Sequence, residues 1–211
     1  MLFAALQHST FRGSGEAMNQ PRLILFTRYP VAGEAKTRLI PAIGADGAAL
    51  VHKRLTEQTV KTLQSTGKRI EIAYTGGTAA EFTAWLGRDL VYREQVAGDL
   101  TAKLLAMMEP CPAIFLGADT PGLAIRHVEA AVAALETHDC VIGPAEDGGY
   151  YLIGLARPMP FLFEDMAWST EAVFPETVAR LKAHGLRYAV IETLSDVDRP
   201  EDIAGWPDLV G

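Results

Sequence analysis

Short apolar runs alternate with longer segments of mixed polarity along most of the chain. Each run is four to six residues long and is bounded by residues that favour turns, which is typical of strands buried inside a sheet. Seven runs of this kind predict strands, at residues 23–27, 69–74, 90–93, 113–116, 140–143, 150–155 and 188–192.

Helical periodicity marks three of the segments between these runs. In the first, Val51, Leu55 and Thr59 recur four positions apart with charged residues between them, so one face of a helix would be apolar. In the third, Ser169 or Thr170 can supply the N-cap, and Gly185 can end the helix. The predicted helices span residues 46–64, 124–136 and 169–184.

This alternation of strands and helices indicates a layered α/β fold with a mixed, mostly parallel sheet. We predict a single domain with a three-layer α/β/α architecture over residues 21–211. Residues 1–20 contain a Gly-Ser-Gly stretch and lack a strand or helix pattern, so we expect them to form a flexible N-terminal extension.

Composition and charge narrow the classes of function. Nineteen Lys and Arg residues against 26 Asp and Glu give a net charge of −7, so we expect no nucleic-acid partner. The longest apolar stretches fall short of the roughly 18 residues that a membrane span requires. The two cysteines, Cys111 and Cys140, are too few for a disulfide framework or a cysteine-based zinc site, which favours a cytoplasmic location.

The candidate functional residues come directly after the predicted strands. This is where they are expected, because ligands of parallel α/β sheets bind outside the carboxyl ends of the strands. After residues 23–27, the cations Arg28, Lys36 and Arg38 flank a turn that contains Pro and Gly. These side chains can form a cradle for a chain of phosphates. The alternative is a solvated surface turn, since Lys and Arg are mostly exposed in any protein.

Acidic residues follow two other predicted strands. Asp119 comes after residues 113–116, where a carboxylate can bind a divalent cation or simply form an Asx turn. Asp196 and Asp198 come after the last strand and lie two positions apart, so in an extended segment they face the same side and can complete the metal site. For Asp198, a cap on the helix that begins near Pro200 is the commoner use of such a residue.

A third acidic segment follows residues 140–143. Glu146 and Asp147 stand directly before Gly148 and Gly149, and the glycines permit close approach of the backbone to a bound group. Either acid can serve as the general base for an acceptor hydroxyl. Asp-Gly between two strands is also a strong hairpin signal, and a hairpin turn can present the acid.

Taken in order, the segments KTRL, LGADTP, GPAEDGGYYLIGL with a later WST, and DVDRPEDI resemble a family of small bacterial glycosyltransferase-like proteins, the nucleotide-diphospho-sugar transferases, some of them associated with arsenosugar biosynthesis. More distantly, the chain is similar to 2-phospholactate guanylyltransferase and the molybdenum cofactor nucleotidyltransferase. The resemblance covers residues 22–204. It implies a glycosyltransferase-A-type fold and a divalent metal, Mg²⁺ or Mn²⁺, that holds nucleotide phosphates.

The resemblance also implies roles for individual residues. The cations Arg28, Lys36 and Arg38 would bind the nucleotide phosphates, and Asp119, Asp196 and Asp198 would hold the metal. The residues that would face the second substrate are Gly148, Gly149, Trp168, Ser169 and Thr170. The segment that ends in Gly98-Asp99-Leu100 resembles the family's GDL element, but Thr101-Ala102-Lys103 departs from the expected Gly-Glu-Arg.

Two transferase chemistries fit this pattern. Glycosyl transfer from a nucleotide-sugar to a small acceptor requires a base such as Asp147 or Glu146, and this prediction is favoured. Nucleotidyl transfer from a nucleoside triphosphate to a phosphorylated small molecule, as in a guanylyltransferase, needs cations rather than a base, which Arg28, Lys36 and Arg38 supply. A third hypothesis is a non-catalytic protein that binds nucleotides.

Overall fold

The structure is a computed structural model that describes residues 20–210. A single seven-stranded sheet has the strand order β3-β2-β1-β4-β6-β5-β7. All neighbouring strands are parallel except β6, which runs antiparallel to both β4 and β5. The strands are β1 (Arg22–Arg28), β2 (Ile70–Thr75), β3 (Val91–Glu94), β4 (Ala113–Gly117), β5 (Cys140–Pro144), β6 (Tyr150–Leu155) and β7 (Tyr188–Val190). The predicted α/β fold with a mixed, mostly parallel sheet is therefore confirmed.

Five α-helices are found among the described residues, together with short 3-10 helices. None of the helices in residues 20–210 is long and apolar enough to cross a membrane. The predicted N-terminal extension lies, apart from its last residue, outside the described residues. The α-helices are α1 (Ile40–Gln64), α2 (Ala79–Leu86), α3 (Leu100–Met107), α4 (Ile125–Ala134) and α5 (Val173–Ala183).

The starts of two helices differ clearly from the prediction. Helix α1 starts at Ile40, before the predicted position, and its regular geometry is interrupted at Gly44, where φ is 73°. The predicted N-cap of α5 at Ser169 or Thr170 is wrong, because the helix begins at Val173. Ser169 instead has left-handed backbone with φ of 62°, which belongs to a turn before the helix.

Apolar side chains cover both faces of the sheet. On β1, Leu23 and Leu25 face a core that includes residues of α1, α2 and α4. Ile24, between them, faces the opposite core, which includes residues of α3 and α5. This alternation is the period-two pattern of a strand buried on both faces, and it gives the three-layer arrangement.

A smaller apolar cluster lies at the edge of the domain, where the start of α1 meets the C-terminal segment. The C-terminal segment forms two short 3-10 helices, Pro200–Gly205 and Pro207–Leu209. The buried side chains of Val51 and Leu55 on α1 share this cluster with Val197 and Leu209. The cluster thereby fixes the segment that carries Asp196 and Asp198.

Candidate active site

Two adjoining cavities open at the carboxyl ends of the central strands. The smaller has a volume of about 210 Å³ and the larger about 900 Å³. Both are lined by four of the same residues, namely Asp119, Asp147, Ser169 and Asp196. Since these residues come from separate loops, the fold brings together most of the residues that the sequence singled out.

The loop between β5 and β6 is a tight hairpin, as the Asp-Gly signal predicts. The amide of Gly148 donates to the carbonyl of Ala145 at 3.1 Å, and its φ of 88° is left-handed. A Cβ at Gly148 would lie 2.4 Å from Cα of Glu171, so a side chain there would collide with backbone. The turn therefore requires glycine at this position.

This hairpin presents two acids with different surroundings. The amide of Gly149 donates to Oδ1 of Asp147 at 2.8 Å, which fixes that carboxylate at the border of the two cavities. Glu146 lines the larger cavity but not the smaller one. Its Oε2 accepts a hydrogen bond from Ser195 Oγ at 2.7 Å. Of the two hairpin acids, Asp147 is thus the one that lines both cavities, as Asp119 and Asp196 also do.

The three predicted phosphate-binding cations are not grouped together. Nζ of Lys36 lies 2.7 Å from Oδ1 of Asp119 and 3.6 Å from Oδ1 of Asp198. Arg38 is exposed, pairs with Asp198 and lines the larger cavity. Arg28 lines neither cavity and pairs instead with Glu34 at 2.8 Å. Of these three cations, Lys36 and Arg38 adjoin the acidic cleft and Arg28 does not.

The predicted metal-binding acids lie at the ends of two chain segments that are tied to each other. The amide of Val197 donates to the carbonyl of Asp119 at 2.8 Å, which holds Asp196 and Asp198 beside the loop after β4. Burial raises the pKa of Asp196, and the carboxylates of Asp147 and Asp119 raise it further, which reflects the concentration of negative charge here. Burial also raises the pKa of Asp119, but Lys36 outweighs this effect and the net shift is downward.

Asp198 does not cap the 3-10 helix Pro200–Gly205. The carboxylate of Asp202 caps this helix, because its Oδ2 accepts hydrogen bonds from the amides of Asp198 and Arg199 at 2.9 and 2.7 Å. The side chain of Asp198 faces Lys36 and Arg38 instead. The cap interpretation of Asp198 is therefore wrong, and its carboxylate belongs to the cleft.

The smaller cavity has an aromatic wall. Trp168 lines it and donates from Nε1 to Oγ1 of Thr101 at 2.8 Å. Thr101 in turn donates to the carbonyl of Phe163 at 2.8 Å, and Trp168 contacts the ring of Tyr150 edge-on at 6.3 Å between centroids. Tyr150 and Ser195, which line these cavities, were missed as site residues, and so was the support that Thr101 gives to Trp168.

The acids of the cleft are of the chemical type that a hard divalent cation takes as ligands. Carboxylate oxygens are the ligands that Mg²⁺ and Mn²⁺ prefer, and Mg²⁺ commonly takes one or two carboxylates together with substrate phosphates. Oδ1 of Asp119 and Oδ1 of Asp198 lie 2.7 and 3.6 Å from the same ammonium group, that of Lys36. Within residues 20–210, no three acidic, imidazole or thiol side chains are already grouped to enclose a metal.

Comparison with known proteins agrees with this fold. A 3-phospho-D-glycerate guanylyltransferase of Phenylobacterium zucineum is 30% identical over 187 residues, 80% of this chain and 82% of the relative. A structure from Desulfovibrio desulfuricans G20, described as a nucleotide-diphospho-sugar transferase, is 27% identical with a TM-score of 0.82 and covers 89% of this chain and 87% of its own. Rv0371c of Mycobacterium tuberculosis H37Rv in complex with manganese shares the fold at 16% identity, a TM-score of 0.53, and coverage of 90% and 98%.

These likenesses and the acidic cleft place the chain in the class of nucleotide-dependent transferases, as the resemblance implied. Residues 55–170 match the model of a bacterial family described as "Uncharacterized protein conserved in bacteria (DUF2064)". The protein belongs to this family.

Proposed function

We propose that the protein transfers a sugar from a nucleotide-sugar to a hydroxyl group of a small acceptor, with Mg²⁺ or Mn²⁺ as cofactor. The position of Asp147 is the observation that supports this most. Its carboxylate lies where the two cavities meet, so an acceptor in the smaller cavity and a donor in the larger one would both approach it. A carboxylate between donor and acceptor is what proton removal from a hydroxyl requires.

In the proposed reaction, the acceptor lies against Trp168, Ser169 and Thr170. Asp147 removes the proton of the acceptor hydroxyl while that oxygen bonds to the anomeric carbon of the sugar. The bond between this carbon and the diphosphate oxygen breaks, and the nucleoside diphosphate leaves with the electron pair. The hydrogen bond from Gly149 holds the carboxylate of Asp147 in place for this step.

The larger cavity, where the donor would bind, carries charged side chains that can act on the diphosphate. Arg38 lines the larger cavity and is positioned to face the diphosphate, and Lys36 adds positive charge from behind Asp119. Asp119, Asp196 and Asp198 would hold the metal, which when bound neutralises charge that develops on the departing diphosphate.

Nucleotidyl transfer is the second candidate. The identity with the Phenylobacterium guanylyltransferase favours it, and this reaction needs no general base. In that case an acceptor phosphate would attack the α-phosphorus of a nucleoside triphosphate and pyrophosphate would leave. The two candidates therefore differ in their product, nucleoside diphosphate against pyrophosphate.

The first experiment measures thermal unfolding with Mn²⁺ and a panel of nucleotide-sugars and nucleoside triphosphates, because a ligand at 100 times its Kd stabilises by about 2.7 kcal/mol. The donor that binds is then assayed for release of nucleoside diphosphate and of pyrophosphate. We expect a nucleotide-sugar to raise the Tm and to yield nucleoside diphosphate with added polyol acceptors. Stabilisation by a triphosphate alone, with release of pyrophosphate, would establish the second candidate instead.

Substitution of Asp147 tests its proposed role as the general base. Asp147→Asn should lower kcat by about 10²- to 10⁴-fold while the Tm increase with the nucleotide-sugar persists, since only the proton acceptor is lost. Glu129→Gln, at an exposed position on α4, is the matched control and should behave as the wild type. Full activity of Asp147→Asn would remove this residue from the mechanism, and the same test on Glu146→Gln shows whether the neighbouring acid is the base.

A further inference from the structure

The side chain of Lys36 is buried, although the two acids that it pairs with, Asp119 and Asp198, are partly exposed to solvent. Only 4% of this side chain is exposed, whereas 48% of the Asp119 side chain and 36% of the Asp198 side chain are exposed. Both acids line the larger cavity, and Lys36 does not. The ammonium group therefore approaches the two carboxylates from within the protein and leaves part of each carboxylate facing the cavity.

The backbone at Lys36 is held in an unfavourable conformation. Its φ of 48° and ψ of 45° are left-handed, although it is not glycine, and it directly precedes the 3-10 helix Thr37–Leu39. Non-glycine residues in this region are uncommon and persist where the surrounding structure fixes them. The conformation and the ion pair together place one positive charge between Asp119 and Asp198.

We infer that Lys36 acts as an internal counter-cation that holds Asp119 and Asp198 in place before the metal binds and that weakens metal binding until nucleotide is present. The inference rests on the metal-dependent transfer proposed above. Two carboxylates at such close range repel each other unless a cation lies between them, and the ammonium group supplies it. The same positive charge repels a divalent cation that approaches from the cavity.

A bound nucleotide would reduce the repulsion between Lys36 and the metal. Its phosphate oxygens would bring negative charge into the larger cavity, which offsets the positive charge of Lys36 behind the acids, and they could supply oxygen ligands that the metal prefers. Metal and nucleotide then bind more tightly together than either binds alone, because each offsets the repulsion that the other meets. The protein would thus bind the metal as part of a metal–nucleotide complex.

The test uses Mn²⁺ alone, by isothermal titration calorimetry on the full chain without nucleotide or acceptor. Lys36→Gln removes the charge but keeps a hydrogen-bond donor for Asp119, and Lys36→Arg keeps the charge. We expect Lys36→Gln to bind Mn²⁺ at least tenfold more tightly than the wild type, and Lys36→Arg to bind it as weakly as the wild type. Lys53→Gln, which removes an exposed lysine on α1, should leave Mn²⁺ binding unchanged.

A second measurement separates this effect from a folding defect. Without metal, Lys36→Gln should have a lower Tm than the wild type, and Mn²⁺ should restore it, whereas Mn²⁺ should change the Tm of the wild type little. The double variant Lys36→Gln, Asp119→Asn should lose the gain in affinity for Mn²⁺. If Lys36→Gln binds Mn²⁺ no more tightly than the wild type, the inference is overturned. Neither measurement uses a transfer reaction, so its failure is distinct from failure of the proposed function.

Discussion

At the scale of the residue, His52 is a buried titratable group behind the cleft. It lies on α1, and its Nε2 is 3.0 Å from the carbonyl oxygen of Arg28 and 3.3 Å from Oγ1 of Thr27. A carbonyl oxygen only accepts, so Nε2 carries the donated hydrogen. The side chain of His52 is buried against the end of β1.

This burial predicts a pH dependence of stability. Burial lowers the pKa of His52 below its ordinary value of 6.5, and this effect outweighs the opposing one from Asp119. Below pH 6.5 the unfolded state therefore binds a proton that the folded state does not, so the free energy of unfolding falls as pH falls, by at most about 1.4 kcal/mol per pH unit. His52→Gln, which cannot titrate, should lose this part of the slope.

Urea unfolding of wild type and His52→Gln at several pH values between 5 and 8 measures the difference. We expect the two free energies of unfolding to converge as pH decreases through 6.5. Parallel curves would show that His52 does not contribute to the pH dependence.

At the scale of the element, the β5–β6 hairpin is the structure that presents Asp147. Gly148→Ala introduces a Cβ against the backbone of Glu171 at a left-handed position. We expect a loss of more than about 2 kcal/mol in the free energy of unfolding, because strain and a backbone collision add. The control is Gly205→Ala, whose Cβ would meet no atom within 4 Å and whose backbone is not left-handed. Equal stability of the two variants in urea would contradict this account of the turn.

At the scale of the whole molecule, the C-terminal segment, which is not part of the sheet, lines one side of the larger cavity. The side chain of Leu209 is 1% exposed and shares an apolar cluster with Val197, which stands between Asp196 and Asp198. Leu209→Ala should lower the free energy of unfolding by about 2 to 5 kcal/mol, as for other buried leucines. It should also reduce the Tm increase produced by Mn²⁺ and nucleotide, because the acids lose their support.

The neighbouring residue supplies the control for this variant. Val210 is 37% exposed, and Val210→Ala should change the free energy of unfolding by less than about 0.5 kcal/mol. Denaturant titrations with and without ligand distinguish the two effects. If Leu209→Ala weakens the fold but leaves ligand stabilisation intact, the C-terminal segment supports the domain without positioning the acids.

The sequence by itself determined the seven strands and the hairpin at Asp147 and Gly148, because burial patterns and turn chemistry act over a few neighbouring residues. It missed α2 and α3, which have eight residues each and are too short to show clear periodicity. Only the tertiary structure decided the strand order, in which β6 enters antiparallel between β4 and β5.

The tertiary structure also decided which charged side chains form ion pairs with each other. Arg38 pairs with Asp198 although 160 positions separate them in the chain, and Lys36 reaches Asp119 from within the protein. Arg28 is near Lys36 in sequence but pairs with Glu34 instead. Charge alone attracts any opposite partner, so the choice of partner follows from where the sheet places each loop. Local patterns therefore determined the elements and the candidate acids, whereas the packing of distant segments determined the site that they form.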